Sequence, residues 1–202
     1  MKTKEQIVKT ALKLFLQEGF YNVSMSRIAN EIGISKPAIY YHFKNKDAMV
    51  EGVLDHFTKK MSEWSIEYFE DVQNGEQFLQ KMFSAIPIYK NIELVLLDDV
   101  NEIFPNSYND LLMTLSKYKP QFRNRIAQDI RGAREKIENS ILNSQIGNSI
   151  NEQIDRQKLA LLIHCVLEGS AFIAEIDEEL DIRKASEDLF QVIWSLIKKE
   201  DQ

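Results

Sequence analysis

Between residues 24 and 43 a small residue, a glycine and a branched apolar residue stand at fixed intervals. Ala29 comes first, Gly33 follows four residues on, and Ile39 lies ten residues after the alanine. Two helices cross closely only where a side chain is small. A short turn between them needs one left-handed position, which glycine adopts without strain. Ile39 then anchors the second helix on the first. Ser24 and Ser35 precede the two helical runs, where a hydroxyl can satisfy free N–H groups. Pro37 falls in the first turn of the later helix, where its missing N–H costs little. This is the spacing of a helix-turn-helix, whose braced helix turns its outer face toward a DNA major groove.

The remainder also reads as helix. Only four prolines and seven glycines occur, and alternating β-branched runs are missing, so the fold class is all-α with about nine helices. Thr3 is placed to cap a first helix carrying Ile7, Val8, Ala11, Leu12, Leu14 and Phe15, with Gly19 ending it. A fourth helix is expected from Lys46 to Gln73, with Val50, Leu54, Phe57, Met61, Trp64 and Tyr68 along one seam. Further helices are expected at 76–86, 90–103 and 107–118, closed at or near Pro87, Pro105 and Pro120, and at 120–143. Residues 144–151, with Gly147, read as a loop before helices at 155–175 and 182–199.

Net charge is −6, which as an average argues against a nucleic-acid partner. The average conceals two unlike parts. Residues 1–47 hold eight Lys and Arg against four Asp and Glu, a balance of +4, while the other 155 residues hold 17 against 27, a balance of −10. A basic head, 1–47, is thus set apart from an acidic remainder, 48–202. The single cysteine, Cys165, forms no intrachain disulfide. The longest apolar run, Leu159 to Leu167, is interrupted by His164 and falls short of the ~18 residues of a membrane span. No signal-like apolar segment opens the chain, so a cytoplasmic protein without a membrane partner is expected.

The outer face of the third helix carries Ser35, Lys36, Ala38, Tyr41 and His42. Lys36 sits at the N-terminal end, where base edges are met, and Ala38 suits a thymine methyl. Tyr40, Tyr41, His42 and Lys46 suit phosphate and sugar, and Ser24 begins a helix whose N–H groups suit a phosphate. Tyr40 equally suits the core of the small head. His42 lacks companions at metal-ligand spacing.

The stretch Gly19-Phe20 through Ser24-Met25-Ser26-Arg27-Ile28-Ala29, and above all Gly33 to Lys46, resembles the DNA-binding domain of the TetR family of transcriptional regulators over residues 3–50. That resemblance adds Ser26, Arg27 and Pro37 to the DNA-facing set. It implies an N-terminal three-helix DNA-binding domain and a C-terminal helical domain for ligand binding and dimerisation. The implied protein is a homodimeric regulator, a repressor on palindromic operator DNA released by a small molecule. No cofactor is implied.

Within the acidic remainder, Trp64, Tyr68, Phe83, Tyr89, Phe104, Tyr108 and Phe122 are dense enough for a hydrophobic or aromatic effector's pocket, and equally for an ordinary core. On the penultimate helix His164 and Glu168 stand four apart beside Phe172, candidates for the same pocket or for a local polar pair. Asp98, Asp99 and Glu102, with Glu93 nearby, would suit a cationic effector or a solvated helix face. Leu162, Val166, Ser170 and Ile173, with Leu189, Ile193 and Leu196 on the last helix, are the candidate dimer seam. No catalytic motif or phosphate-cradling loop occurs, so an enzyme is not expected. The alternative is an effector-independent accessory or architectural DNA binder, or a helix-turn-helix repurposed for protein contacts.

Overall fold

The computed structural model describes residues 4–97, 104, 107–146 and 149–199. Among these the chain is helical, with no strand. Its elements are α1 (Lys4–Glu18), a 3-10 turn (Phe20–Asn22), α2 (Met25–Ile32), α3 (Lys36–His42), α4 (Lys46–Tyr68), α5 (Gly75–Ser84), α6 (Ile86–Lys90), α7 (Glu93–Leu97), α8 (Tyr108–Tyr118), α9 (Pro120–Ile146), α10 (Arg156–Ile176) and α11 (Ile182–Ile197). Thr3, Pro105, Gly147 and the expected helical residues 98–103 lie outside the described residues.

The boundaries follow local chemistry. α4 stops at Tyr68, short of the expected Gln73: residues 69–72 form turns, and Gln73 and Asn74 serve the start of α5. Asn74 Oδ1 accepts from Gln77 N at 2.9 Å, and Gln77 Oε1 accepts from Gln73 N at 2.9 Å. Pro87 opens α6 in its first turn, a position where its absent N–H has no helical partner to lose, so it starts a helix where a stop was expected. Ser107 and Asp110 form a reciprocal capping box on α8. Asp155 and Asp181 cap α10 and α11 by accepting two N–H groups each. α9 runs on to Ile146, into the expected loop, whose later part pairs with the chain's end through Asn151 N to Ile197 O at 2.9 Å and Lys199 N to Ser149 O at 3.2 Å.

The chain packs as two compact units. One takes in the described residues up to 64 and from 92 to 129, the other those from 65 to 91 and from 130 onward. In the first unit α1 is enclosed on most sides, with Ile7, Val8, Ala11, Leu12, Leu14, Phe15 and Leu16 all buried. α2 packs against it with Ile28 and Ala29 buried, and Ile39 of α3 and Phe43 just after that helix are buried as well. α4 comes close: a Cβ on Gly52 would stand 2.9 Å from the Phe43 ring and 3.1 Å from Val8. Farther along α4, Phe57 stacks on Tyr108 at 4.6 Å, and His56 donates from Nε2 to the Leu96 carbonyl at 2.8 Å.

In the second unit α5 and α6 lie against α11 and α10. Its core joins Leu79, Phe83 and Ile86 to Ile137, Ile141, Ile163, Phe190 and Ile197. α10 is long and apolar enough by length and composition to cross a membrane, although His164 interrupts its apolar run. Only a third of that apolar window is buried within the fold.

The tight passage at Gly52 gives a direct test. Gly52→Ala should destabilise the chain by ~1–3 kcal/mol, the usual range for overpacking, because the Phe43 ring must move. Denaturant melts of the two proteins measure it; an unchanged midpoint would mean that α4 does not lie this close to the head.

Candidate nucleic-acid interface

The helix-turn-helix is built by three backbone devices. Ser24 Oγ accepts from Arg27 N at 3.1 Å and starts α2. Gly33, at φ 75° and ψ 36°, ends it. Gly33 N donates to Asn30 O at 3.1 Å and Ile34 N to Ala29 O at 3.0 Å, the paired bonds of a Schellman stop. Ser35 Oγ then accepts from Ala38 N at 3.3 Å and starts α3 two residues later. Ile39 is fully buried, so the rest of α3 is turned outward. Ser35, Lys36, Pro37, Tyr40 and Tyr41 are exposed, with Tyr41 at 83% and Tyr40 at 41%. Ala38 and His42 are half-buried on the flanks, and the His42 ring meets Tyr41 edge-on at 5.4 Å. Tyr40 is therefore on the surface, outside the core of the head.

Ser24 is exposed and Ser26 half-buried at the start of α2. Arg27, one of the expected DNA contacts, is already engaged within the head. Its guanidinium lies 2.7 Å from Glu18 and 2.7 Å from Glu31, and these hydrogen bonds hold its charge more firmly than usual. Glu31 stands four residues after Arg27, a pairing legible in the sequence. Glu18 on α1 was not foreseeable from local spacing. Lys46 is likewise turned inward. Its Nζ donates to the Phe20 carbonyl at 2.5 Å and lies 4.0 Å from the Phe20 ring centre. Burial pushes its pKa down. Asn45, whose capping role the sequence reading did not include, accepts from Ala48 N at 2.8 Å and starts α4.

Beside the head, Asp47 on α4 accepts from the Tyr118 hydroxyl at 3.3 Å and pairs with Lys119. Arg125 on α9 pairs with Asp55 at 3.0 Å and Asp129 at 3.2 Å. Two open grooves of about 370 and 410 Å³ lie on this unit, lined by Lys9, Lys13 and Glu31 in one and by Lys44, Glu51 and Asp55 in the other.

The ten candidate effector residues divide between the units. Trp64, Phe104, Tyr108 and Phe122 belong to the first; Tyr68, Phe83, Tyr89, His164, Glu168 and Phe172 belong to the second. Phe83 and Phe122 are core side chains, at 1% and 0% exposure, whereas Phe172 is 57% exposed. The buried Tyr108 hydroxyl and His164 Nδ1 have no hydrogen-bond partner among the described residues. His164 Nε2 lies 3.5 Å from Glu168. Tyr89 is pushed up to about 12 by burial first, then by the negative charge of Glu168 and by Tyr68, which gathers those three residues in one neighbourhood. Glu93 accepts from Tyr108 N at 2.7 Å. Asp98, Asp99 and Glu102 lie outside the described residues.

Of the candidate seam, Leu162, Ile173 and Leu196 are exposed at 50%, 53% and 73%. Val166, Ser170 and Leu189 are half-buried. Ile193 needs correction: with Phe190 and Ile197 it forms the inward stripe of α11 and is 6% exposed. Three- and four-residue steps put these three on one helix face, and the core of their own unit takes that face. Ile176 and Val192, at 69% and 58% exposed, extend the outward surface and were not among the expected seam.

Residues 7–53 match the sequence profile of bacterial regulatory proteins of the tetR family. Over 54 residues the chain is 43% identical to the HTH-type transcriptional regulator YerO of Bacillus subtilis (strain 168), covering 27% of this chain and 19% of that one. Over 52 residues it is 35% identical to the class C tetracycline repressor protein of Escherichia coli, covering 26% and 24%. The matched segment thus spans a quarter or less of these relatives' lengths. The fold match is wider. A transcriptional regulator from Saccharomonospora viridis, solved in complex with choline, superposes with TM-score 0.74 at 18% identity over 98% of both chains. Residues 7–53 are thus similar to bacterial regulatory proteins of the tetR family, and the likeness over the rest of the chain is one of fold.

The buried phenols make a clean measurement. Tyr108 is also raised well above the usual phenol range by burial, so Tyr89 and Tyr108 should stay un-ionised when absorbance at 295 nm is followed to pH about 11. The neutral Tyr89 phenol is favoured by the fold, so its contribution is intact below pH 10.0 and fades as pH rises toward about 12. Seven phenols titrating together would place both tyrosines in solvent.

Proposed function

We propose that this chain is a homodimeric repressor that reads palindromic operator DNA through α3 and is released by a small molecule, working in the cytoplasm where its operator lies. The observation that carries the DNA reading is the division of α3. Ile39 is held at 0% exposure while Lys36, Tyr40 and Tyr41 project outward together from a capped and fixed turn. Residues 1–47 are the head and 48–202 the regulatory part. Lys36 meets base edges, Ala38 offers a methyl surface, and Tyr40, Tyr41 and the N–H groups behind Ser24 hold phosphates and sugars. A dimer presents two copies of α3 about 34–36 Å apart, one helical turn of DNA.

The exposed apolar residues Leu162, Ile173 and Ile176 of α10 and Val192 and Leu196 of α11 support these helices as the dimer contact, because exposed apolar surface of this kind marks an interface. It also explains why α10 is so apolar along its length: it buries one face inside its unit and a second against its partner. Tyr68, Tyr89, His164 and Glu168 are the strongest group for an effector. Their aromatic faces and carboxylate suit an aromatic or cationic molecule. The choline bound by the Saccharomonospora viridis regulator is in keeping with that chemistry. Phe83, Tyr108 and Phe122 are core side chains of their own units, which favours a second reading, an effector-independent DNA binder.

Fluorescence anisotropy on duplexes selected from a random pool tests the main reading. Lys36→Ala should cost ~1–3 kcal/mol on the selected sequence and little on random DNA. Equal losses on both would remove Lys36 from base reading. Ile173→Asp should convert a dimer to a monomer in light scattering; a monomeric wild type would sink the dimer. Thermal shift against a panel of aromatic and quaternary ammonium compounds separates the two readings, since a bound effector raises the melting point by mass action.

A further inference from the structure

We propose that Lys46 is a positioning residue of the DNA-reading head, a cationic tether between the turn after α1 and the start of α4, and not one of its phosphate contacts. The inference rests on the DNA-binding reading above. It departs from what a lysine beside a helix-turn-helix invites.

The geometry is specific. Lys46 Nζ donates to the Phe20 carbonyl across 26 residues of sequence. It also lies 4.0 Å from the Phe20 ring centre and 5.7 Å from that of Phe15. Phe20 is 3% exposed and meets Phe15 edge-on at 5.3 Å and Tyr118 at 4.9 Å. The ammonium is therefore attached to a fixed aromatic group, not to a mobile surface side chain. A cation over an aromatic face is attracted by the ring's negative quadrupole, and more strongly where water is partly excluded. To reach a phosphate, it would leave two rings and a carbonyl, and a polar group stripped of its partner in a partly buried place is costly. The lowered pKa agrees with an ammonium withdrawn from water.

The neighbours of Lys46 make the tether directional. Asn45 caps α4, so the helix begins at a fixed residue. Asp47 holds Tyr118 and Lys119 on its other side. Lys46 grips the 3-10 turn that follows α1, while Gly52, two turns along α4, lies so near Val8 and Phe43 that an added Cβ would stand 2.9 Å from the Phe43 ring. Two contacts at different heights set the angle between α4 and the head. A dimer whose heads are aimed by α4 reads half-site spacing through that angle.

The test uses the full-length protein and a duplex selected from a random-sequence pool by the wild type. Binding is followed across a salt series. Lys46→Met should weaken binding about tenfold at every salt concentration, with the slope of log K against log salt unchanged. A slope smaller by about 0.9, the loss of one phosphate contact, would overturn the proposal. The variant should also shift its preference among duplexes whose half-sites are moved apart by one or two base pairs; an equal loss on every spacing counts against positioning. A third arm needs no variant to bind DNA. In the wild type carrying isotope-labelled lysine, the Lys46 side-chain signal, identified by its absence in Lys46→Met, should be shifted by the rings in the free protein and stay in place when duplex is added. A signal at the ordinary lysine position, or one that moves with DNA, overturns the tether. A wild type that selects no duplex at all ends the DNA reading itself, an outcome distinct from a failed tether.

Discussion

The two bonds that close α2 at Gly33 govern the reading head. They stop one helix and let the next begin within three residues, so α3 packs against α2 with Ile39 buried. Any other residue at Gly33 would meet strain at φ 75° even though open space surrounds its Cβ position. Because the turn is rigid, the exposed face of α3 is presented as a unit. The capping serines reinforce this by consuming the N–H groups that would otherwise make the ends of two short helices fray.

Charge in the head is organised more than its net value indicates. Several basic residues are satisfied internally: Arg27 by two carboxylates, Lys46 by a carbonyl and aromatic rings, and Lys4 over the Phe43 ring at 5.3 Å. Lys36 and Lys44 stand in solvent. Internal pairing fixes geometry and the exposed cations attract phosphate, two tasks that counting charges merges into one. Row-wise spacing continues the pattern on α4, where Asp47, Glu51 and Asp55, four residues apart, meet Lys119 and Arg125.

The head was legible because its determinants are local. Ser24, Gly33, Ser35 and Pro37 act through neighbours within a few residues, and each took the expected role. Helix periodicity also identified α8, α10 and α11 to within a few residues. The failures arise where distant residues decide. Lys46 read as a surface cation because Phe20 is 26 positions away. Ile193 read as seam because periodicity defines an apolar face without saying what covers it; Phe190 and Ile197 share that face and the core claims it. The aromatic residues offered both as a pocket and as ordinary core fall in two units, a partition on which composition carries no information.

The pairing of residues 149–151 with 197–199 has a consequence for synthesis. The core of the second unit needs α11, since Phe190, Ile193 and Ile197 complete it, and α11 lies against α5. α5 therefore emerges more than a hundred residues before its main neighbour. The first unit has all of its elements once residue 129 is made. During translation, at roughly 5–20 residues per second, the head can assemble while the apolar faces of α5, α6 and α10 wait uncovered for several seconds. Those faces are open to chaperones during that interval, and rare codons between residues 130 and 182 would lengthen their exposure after the first unit has been made.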